Sequence, residues 1–93
     1  MSWLETIRVR LTTADRPRVL QELSSQLALL ATEPGLRPRL YSDVRIPTDL
    51  GLHLHWSGPE VPAEGSAVGR RIAAGLESAG LVHHAVWREE VDQ

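Results

Sequence analysis

Residues 5–12 impose the first constraint on the fold. From Glu5 onward the chain alternates, with Ile7, Val9 and Leu11 on one side and Thr6, Arg8, Arg10 and Thr12 on the other. A period of two with β-branched residues on the apolar side describes a strand, here spanning about residues 3–12, with one face buried and one polar. A lone strand of this kind is not stable, so the remainder must supply neighbouring strands and an apolar layer for one face only. The next segment supplies part of that layer. Thr13-Ala14-Asp15-Arg16-Pro17 opens a helix, Asp15 being able to cap free backbone N–H groups and Pro17 fitting the first turn. Leu20, Leu23, Leu27 and Leu30 then recur at three- and four-residue spacing, the stripe of one buried helix face. Glu33-Pro34-Gly35 ends the helix, because Pro34 cannot continue it and Gly35 tolerates positive φ.

The second half repeats this plan in a different sequence. Leu40, Ser42, Val44 and Ile46 alternate with Arg39, Tyr41, Asp43 and Arg45, which predicts a second strand over about 37–46. Pro47-Thr48-Asp49-Leu50-Gly51 carries turn chemistry, and Leu52-His53-Leu54-His55-Trp56 reads as a third strand in a hairpin with the second. A breaker-rich loop, Gly58-Pro59-Glu60-Val61-Pro62, precedes a second amphipathic helix capped by Ser66 and carrying Val68, Ile72, Leu76 and Ala79. Gly69 and Gly75 weaken that helix by up to ~1 kcal/mol each relative to Ala, or permit close packing. Gly80 is a stop residue, and Leu81 to Val91 reads as a fourth strand with a charged, frayed end. The order β-α-β-β-α-β is the ferredoxin-like split β-α-β arrangement, an α+β fold with a four-stranded antiparallel sheet and both helices on one face.

Length and charge agree with a single domain over residues 1–93. A chain of 93 residues supports one thin core, which a partner chain could complete. Ten basic against twelve acidic side chains give a formal charge of -2, without the footprint of a dedicated nucleic-acid binder. No RNP pattern accompanies the arginines. The absence of Cys excludes disulfides, thiolate metal sites and a cysteine nucleophile. No signal peptide and no apolar run of about 20 residues is visible, so a cytoplasmic location with no membrane partner is expected. Gly-x-Gly-x-x-Gly, phosphate-binding loop and nucleophile-elbow patterns are absent. Gly65-Ser66-Ala67-Val68-Gly69-Arg70 could seat an anion at a helix N-terminus, but a plain helix start explains it better.

The face of the sheet away from the helices carries the unusual chemistry. The alternation places Ile7, Val9, Leu11, Val44, Ile46, Leu52, Leu54 and Trp56 toward the helices. It places Arg8, Arg10, Arg39, Tyr41, Asp43, Arg45, His53 and His55 on the open face, joined by His83 or His84, with Trp87 on the side of His83. Such a set forms either a solvated or dimer-facing surface of Arg–Asp pairs, or a polar pocket where two sheets meet. His53 and His55 emerge from one face and, with Asp43, have the ligand types of a two-His, one-carboxylate metal site. No helical His-x-x-x-His or Glu-x-x-His spacing supports that site, and solvated or pairing histidines fit better.

The segments Glu33-Pro34-Gly35-Leu36, Arg39-Leu40-Tyr41-Ser42-Asp43-Val44, Pro47 and Leu52-His53-Leu54-His55-Trp56 resemble the antibiotic-biosynthesis-monooxygenase-like family. The resemblance covers about residues 3–57. It implies a dimeric α+β barrel, a homodimer whose sheets face each other through the polar faces. It also implies a small pocket between sheet and helices in which quinol-like aromatics are oxidised by O₂ with no metal or flavin. Tyr41 and Trp56 match the family's positions and would line or orient that pocket; with His53, His55 and Arg8 they are the candidate substrate-binding residues. Some relatives degrade haem, but the family's haem-ligating His has no counterpart here, and Arg8 and Arg10 stand where haem degraders place an Asn. Two functions follow as expectations. One is a cofactor-independent monooxygenase-like enzyme acting on a small aromatic or quinol; the other is a non-catalytic dimeric module that binds a small ligand or another protein.

Overall fold

The computed structural model describes residues 2–58 and 60–91. Met1, Pro59, Asp92 and Gln93 lie outside the described residues, and with them part of the 58–62 loop and of the acidic tail. The elements run β1 (Ser2–Arg10), α1 (Arg16–Leu30), β2 (Leu36–Ser42), β3 (Asp49–Ser57), α2 (Ala67–Leu76) and β4 (Leu81–Arg88). The strands form one antiparallel sheet in the order β2-β3-β1-β4, the ferredoxin-like arrangement. No helix among the described residues is long and apolar enough to cross a membrane.

The core lies between the helices and one face of the sheet. Ile7 and Val9 of β1 and Leu50, Leu52 and Leu54 of β3 pack with Val19, Leu23 and Leu30 of α1 and with Ile72, Ala73 and Leu76 of α2. Each fully buried aliphatic side chain contributes roughly 1.5–3 kcal/mol relative to exposure, and this layer holds both helices on the same side. The helix stripe is rotated slightly from its expected position. Val19 is buried while Leu20 and Leu27 are only half-buried, so the β-branched residue beside the Leu repeat points inward.

Several local expectations are corrected. Asp15 does not cap α1 with its side chain; its own N–H donates to Thr12 Oγ1 at 3.1 Å, and Thr12 Oγ1 donates to Asp15 Oδ2 at 3.1 Å. The second strand stops at Ser42 rather than near residue 46. Asp43 Oδ1 accepts from the N–H groups of Arg45 at 2.8 Å and Ile46 at 2.9 Å, and that side-chain turn replaces the ladder. Val44 and Ile46 therefore leave the sheet and do not face the helices; Val44 is 96% exposed. The fourth strand ends at Arg88, with Val91 exposed. The charged end is not wholly frayed, since the Glu89 N–H donates to Ser2 O at 2.9 Å and its carboxyl accepts from Ser2 Oγ at 2.7 Å.

Two features of the sheet edge follow directly from sequence. Pro38 lies in β2, an edge strand, where its missing N–H breaks no interior ladder. Gly35 has φ 76°, and a Cβ there would sit 2.6 Å from Ser57 O, so only Gly carries the chain from α1 into β2.

Candidate functional site

Strand register arranges the open face in rows. Arg37, His55, Leu4 and Trp87 lie side by side across the four strands, and the next row is Arg39, His53, Thr6 and Ala85. Then come Tyr41, Gly51, Arg8 and His83, and finally Asp49, Arg10 and Leu81. Because β-strand side chains alternate, this one register puts every member of these rows on the face away from the helices.

Gly51 makes the face concave. With no side chain between Tyr41 and Arg8, it leaves a hollow of about 330 Å³ flanked by Tyr41, His53, Asp43, His83 and Trp87. A larger trough of about 720 Å³ continues over the other end of the sheet, bordered by Arg37, Arg39, His55, Arg88 and Glu89 and also touching Trp56. Tyr41 and Trp87 border both, so the two form one open, aromatic-sided channel.

The hollow has a fixed ionic end and a titratable wall. Asp49 is only 1% exposed, and its carboxylate accepts from Arg8 Nη2 at 2.8 Å and Arg10 Nε at 3.0 Å. Arg8 Nη2 also donates to Asp43 Oδ2 at 2.9 Å. Hydrogen bonds from Arg10 and then Arg8 hold Asp49 below the usual carboxylate range, against the opposing effect of burial. Backbone N–H groups of Ile46 and Arg45, and then Arg8, do the same for Asp43. The Tyr41 and His53 rings stand 4.7 Å apart between centroids, and His55 lies 6.3 Å beyond His53. Burial, and secondarily the neighbouring His55, push His53 below the ordinary imidazole value. At neutral pH His53 is uncharged and able to accept a proton.

The candidate residues divide between the two faces. Arg8, Tyr41, His53 and His55 share the channel. Asp43 turns to Arg8 and its own loop rather than to His53 and His55; among the described residues no group of three or more His, Asp or Glu side chains converges to hold a metal. His83 and Trp87 lie on the open face and His84 on the helix face, as the alternation of β4 requires.

Trp56 projects toward the helices, and there the structure differs from the expected hollow. Its Nε1–H donates to Glu5 Oε1 at 3.0 Å, and Glu5 is fully buried at 0% exposure. Glu5 Oε1 also accepts from Ser66 Oγ at 2.7 Å, while Oε2 accepts from Ser66 N–H at 3.1 Å and lies 2.6 Å from His84 Nε2. Ser66 caps α2 by accepting from Gly69 N–H at 3.0 Å, so the buried carboxyl group and the helix N-terminus form one network. A Cβ on Gly69 would collide with the Glu5 carboxyl group. Glu5 thus occupies the space at the Trp56 indole nitrogen, while the larger trough of the open side also reaches Trp56. Sequence reasoning did not single out Glu5 or Asp49. Glu5 is in phase with Ile7, Val9 and Leu11, which was its only signal.

The fold and the polar channel together define a small ferredoxin-like α+β protein with an open polar channel on the helix-free face of the sheet. No family model matches the sequence, and no curated protein matches it. Among solved structures, the chain is similar to Rv0793 from Mycobacterium tuberculosis, with a TM-score of 0.74, 15% sequence identity, and coverage of 99% of this chain and 98% of that one. At that identity the likeness concerns the fold, which it matches from end to end.

Proposed function

We propose that the chain works as a homodimer, closing its open sheet faces over a small phenolic or quinol-type aromatic compound. The oxidation by O₂ is the chemistry of the antibiotic-biosynthesis-monooxygenase-like family it resembles, with the pocket on the open face rather than between sheet and helices. The carrying observation is the hollow over Gly51, with Tyr41 and the uncharged His53 on its wall. His53 would accept the phenolic proton, and the anion formed is the species that gives electrons to O₂. In a balanced step, the phenol loses its O–H hydrogen and one hydrogen of the para ring carbon, and that carbon becomes a carbonyl. One oxygen atom enters the product, the other leaves as water with those hydrogens, and O₂ is the sole oxidant. Closure by a second copy would exclude water and cover Trp87 and Tyr41, which are 60% and 49% exposed in the single chain.

Sedimentation of the chain at micromolar concentration should give a dimer, and O₂ uptake with anthrone-type or quinol substrates should fall at least ten-fold in His53→Ala. The acid limb of kcat/KM should lie below the ordinary imidazole range. A monomer, or unchanged uptake in both His53→Ala and Tyr41→Phe, would overturn this reading. A non-catalytic binding module of the same architecture is the second reading. It is favoured by one observation: Arg8 and Arg10 are already engaged by Asp43 and Asp49 within the chain. Ligand binding with no O₂ uptake in the unaltered protein would select it.

A further inference from the structure

The channel is chemically unequal along its length. At the Asp49 end the carboxylates are matched by Arg8 and Arg10. At the other end Arg37 and Arg39 make no ion pair with any described residue, and Arg88 reaches Glu90 only at 3.8 Å, beyond hydrogen-bond range. Glu89, the carboxyl group bordering that trough, accepts from Ser2 Oγ. Three guanidiniums therefore border a concavity with one acidic side chain, beside the rings of Tyr41, His55 and Trp87. Arg37 and Arg39 are two residues apart on one strand, so both rise from the same face roughly 7 Å apart along it.

We infer that this end of the channel binds the carboxylate of an aromatic acid, with the ring lying along Tyr41 and Trp87 toward the hollow over Gly51. The inference rests on the ligand-binding reading above and adds the ligand's charge. Guanidiniums stay protonated at any working pH and present a planar fork that fits a carboxylate, so they select an anion without needing a titration. The aromatic rings supply the apolar contact that a simple anion would lack. The internally paired end of the channel, by contrast, offers no surplus positive charge.

The test titrates the whole chain with 6-hydroxy-2-naphthoate and with its methyl ester, following tryptophan fluorescence, and measures sedimentation in parallel. The acid should bind about ten-fold or more tightly than the ester, a preference that disappears in the Arg37→Gln/Arg39→Gln double variant while ester binding is kept. Equal affinity for acid and ester overturns the inference and leaves the ligand-binding reading standing. A preference retained in the double variant also overturns it. So does a double variant that loses the dimer but keeps the preference, which would assign these arginines to a second copy's acidic groups. Binding of neither compound removes this inference together with the reading on which it rests.

Discussion

The two faces of the sheet each bury a carboxyl group, and they satisfy it by opposite means. Glu5, on the helix face, has no arginine. Its partners are the Trp56 indole, the Ser66 hydroxyl and N–H, and His84, gathered at the start of α2. Asp49, on the open face, is held by the guanidiniums of Arg8 and Arg10, both themselves exposed to water. The two carboxyl groups are equally buried, and the exposure of their partners explains the difference. Deep burial of two full charges costs more than their attraction returns unless every lone pair is satisfied, whereas guanidiniums at the surface remain largely hydrated while they pair. The helix-face cluster is therefore a packing and capping device. The open-face cluster fixes one end of an open channel.

The comparison breaks first at Gly69. Gly69→Ala should cost about 3 kcal/mol in chemical denaturation, because its Cβ collides with the Glu5 carboxyl group. The ordinary helix preference for Ala, up to ~1 kcal/mol in the other direction, would not offset this. A neutral or stabilised variant would show that the Glu5 cluster is loosely packed. Asp49→Asn should lower the melting temperature by less, and in a pH-dependent way. The folded-state pKa of Asp49 is depressed by Arg10 and Arg8, so its stabilisation is present above the unfolded carboxylate range and is lost as pH falls through the folded value. The gap between Asp49→Asn and the unaltered chain should be full at neutral pH and close in acid; a gap that is constant with pH would mean that the ion pairs contribute little. Smallest in stability is Gly51→Leu, where a Cβ meets His53 Nε2 at an ordinary 3.5 Å and the remaining atoms enter the hollow. Its melting temperature should stay close to that of the unaltered chain, within about 0.5 kcal/mol of stability, while naphthoate binding is lost. Undiminished binding would place the ligand elsewhere.

The order of elements and the open-face residues Arg8, Arg10, His53 and His55 of β1 and β3 were legible because alternation is a local property that a strand transmits unchanged into the sheet. For β4, the choice between His83 and His84 was settled only by its pairing with β1. The end of β2 was not. Val44 and Ile46 continue the alternation on paper, but the Asp43 side chain captures the next backbone N–H groups, and a pattern of apolar residues does not register that competition. Val19 was missed for a related reason, since the Leu repeat beside it made an equally regular stripe.

For the polar clusters, sequence and tertiary structure divided the work. Sequence alone determined that Arg8, His53 and Tyr41 share a face and that Glu5 shares the other with Ile7 and Val9, because strand side chains alternate whatever lies around them. Only the tertiary structure decided what each group meets. Glu5 meets Ser66 and His84, sixty-one and seventy-nine residues away, once α2 and β4 dock on β1, and Asp49 meets Arg8 and Arg10 once β3 pairs with that strand. The bare Gly51 becomes a hollow only when Tyr41 and Arg8 stand on either side of it. Those contacts depend on strand pairing and helix docking, whose register comes from burying the whole apolar face at once and from no single segment.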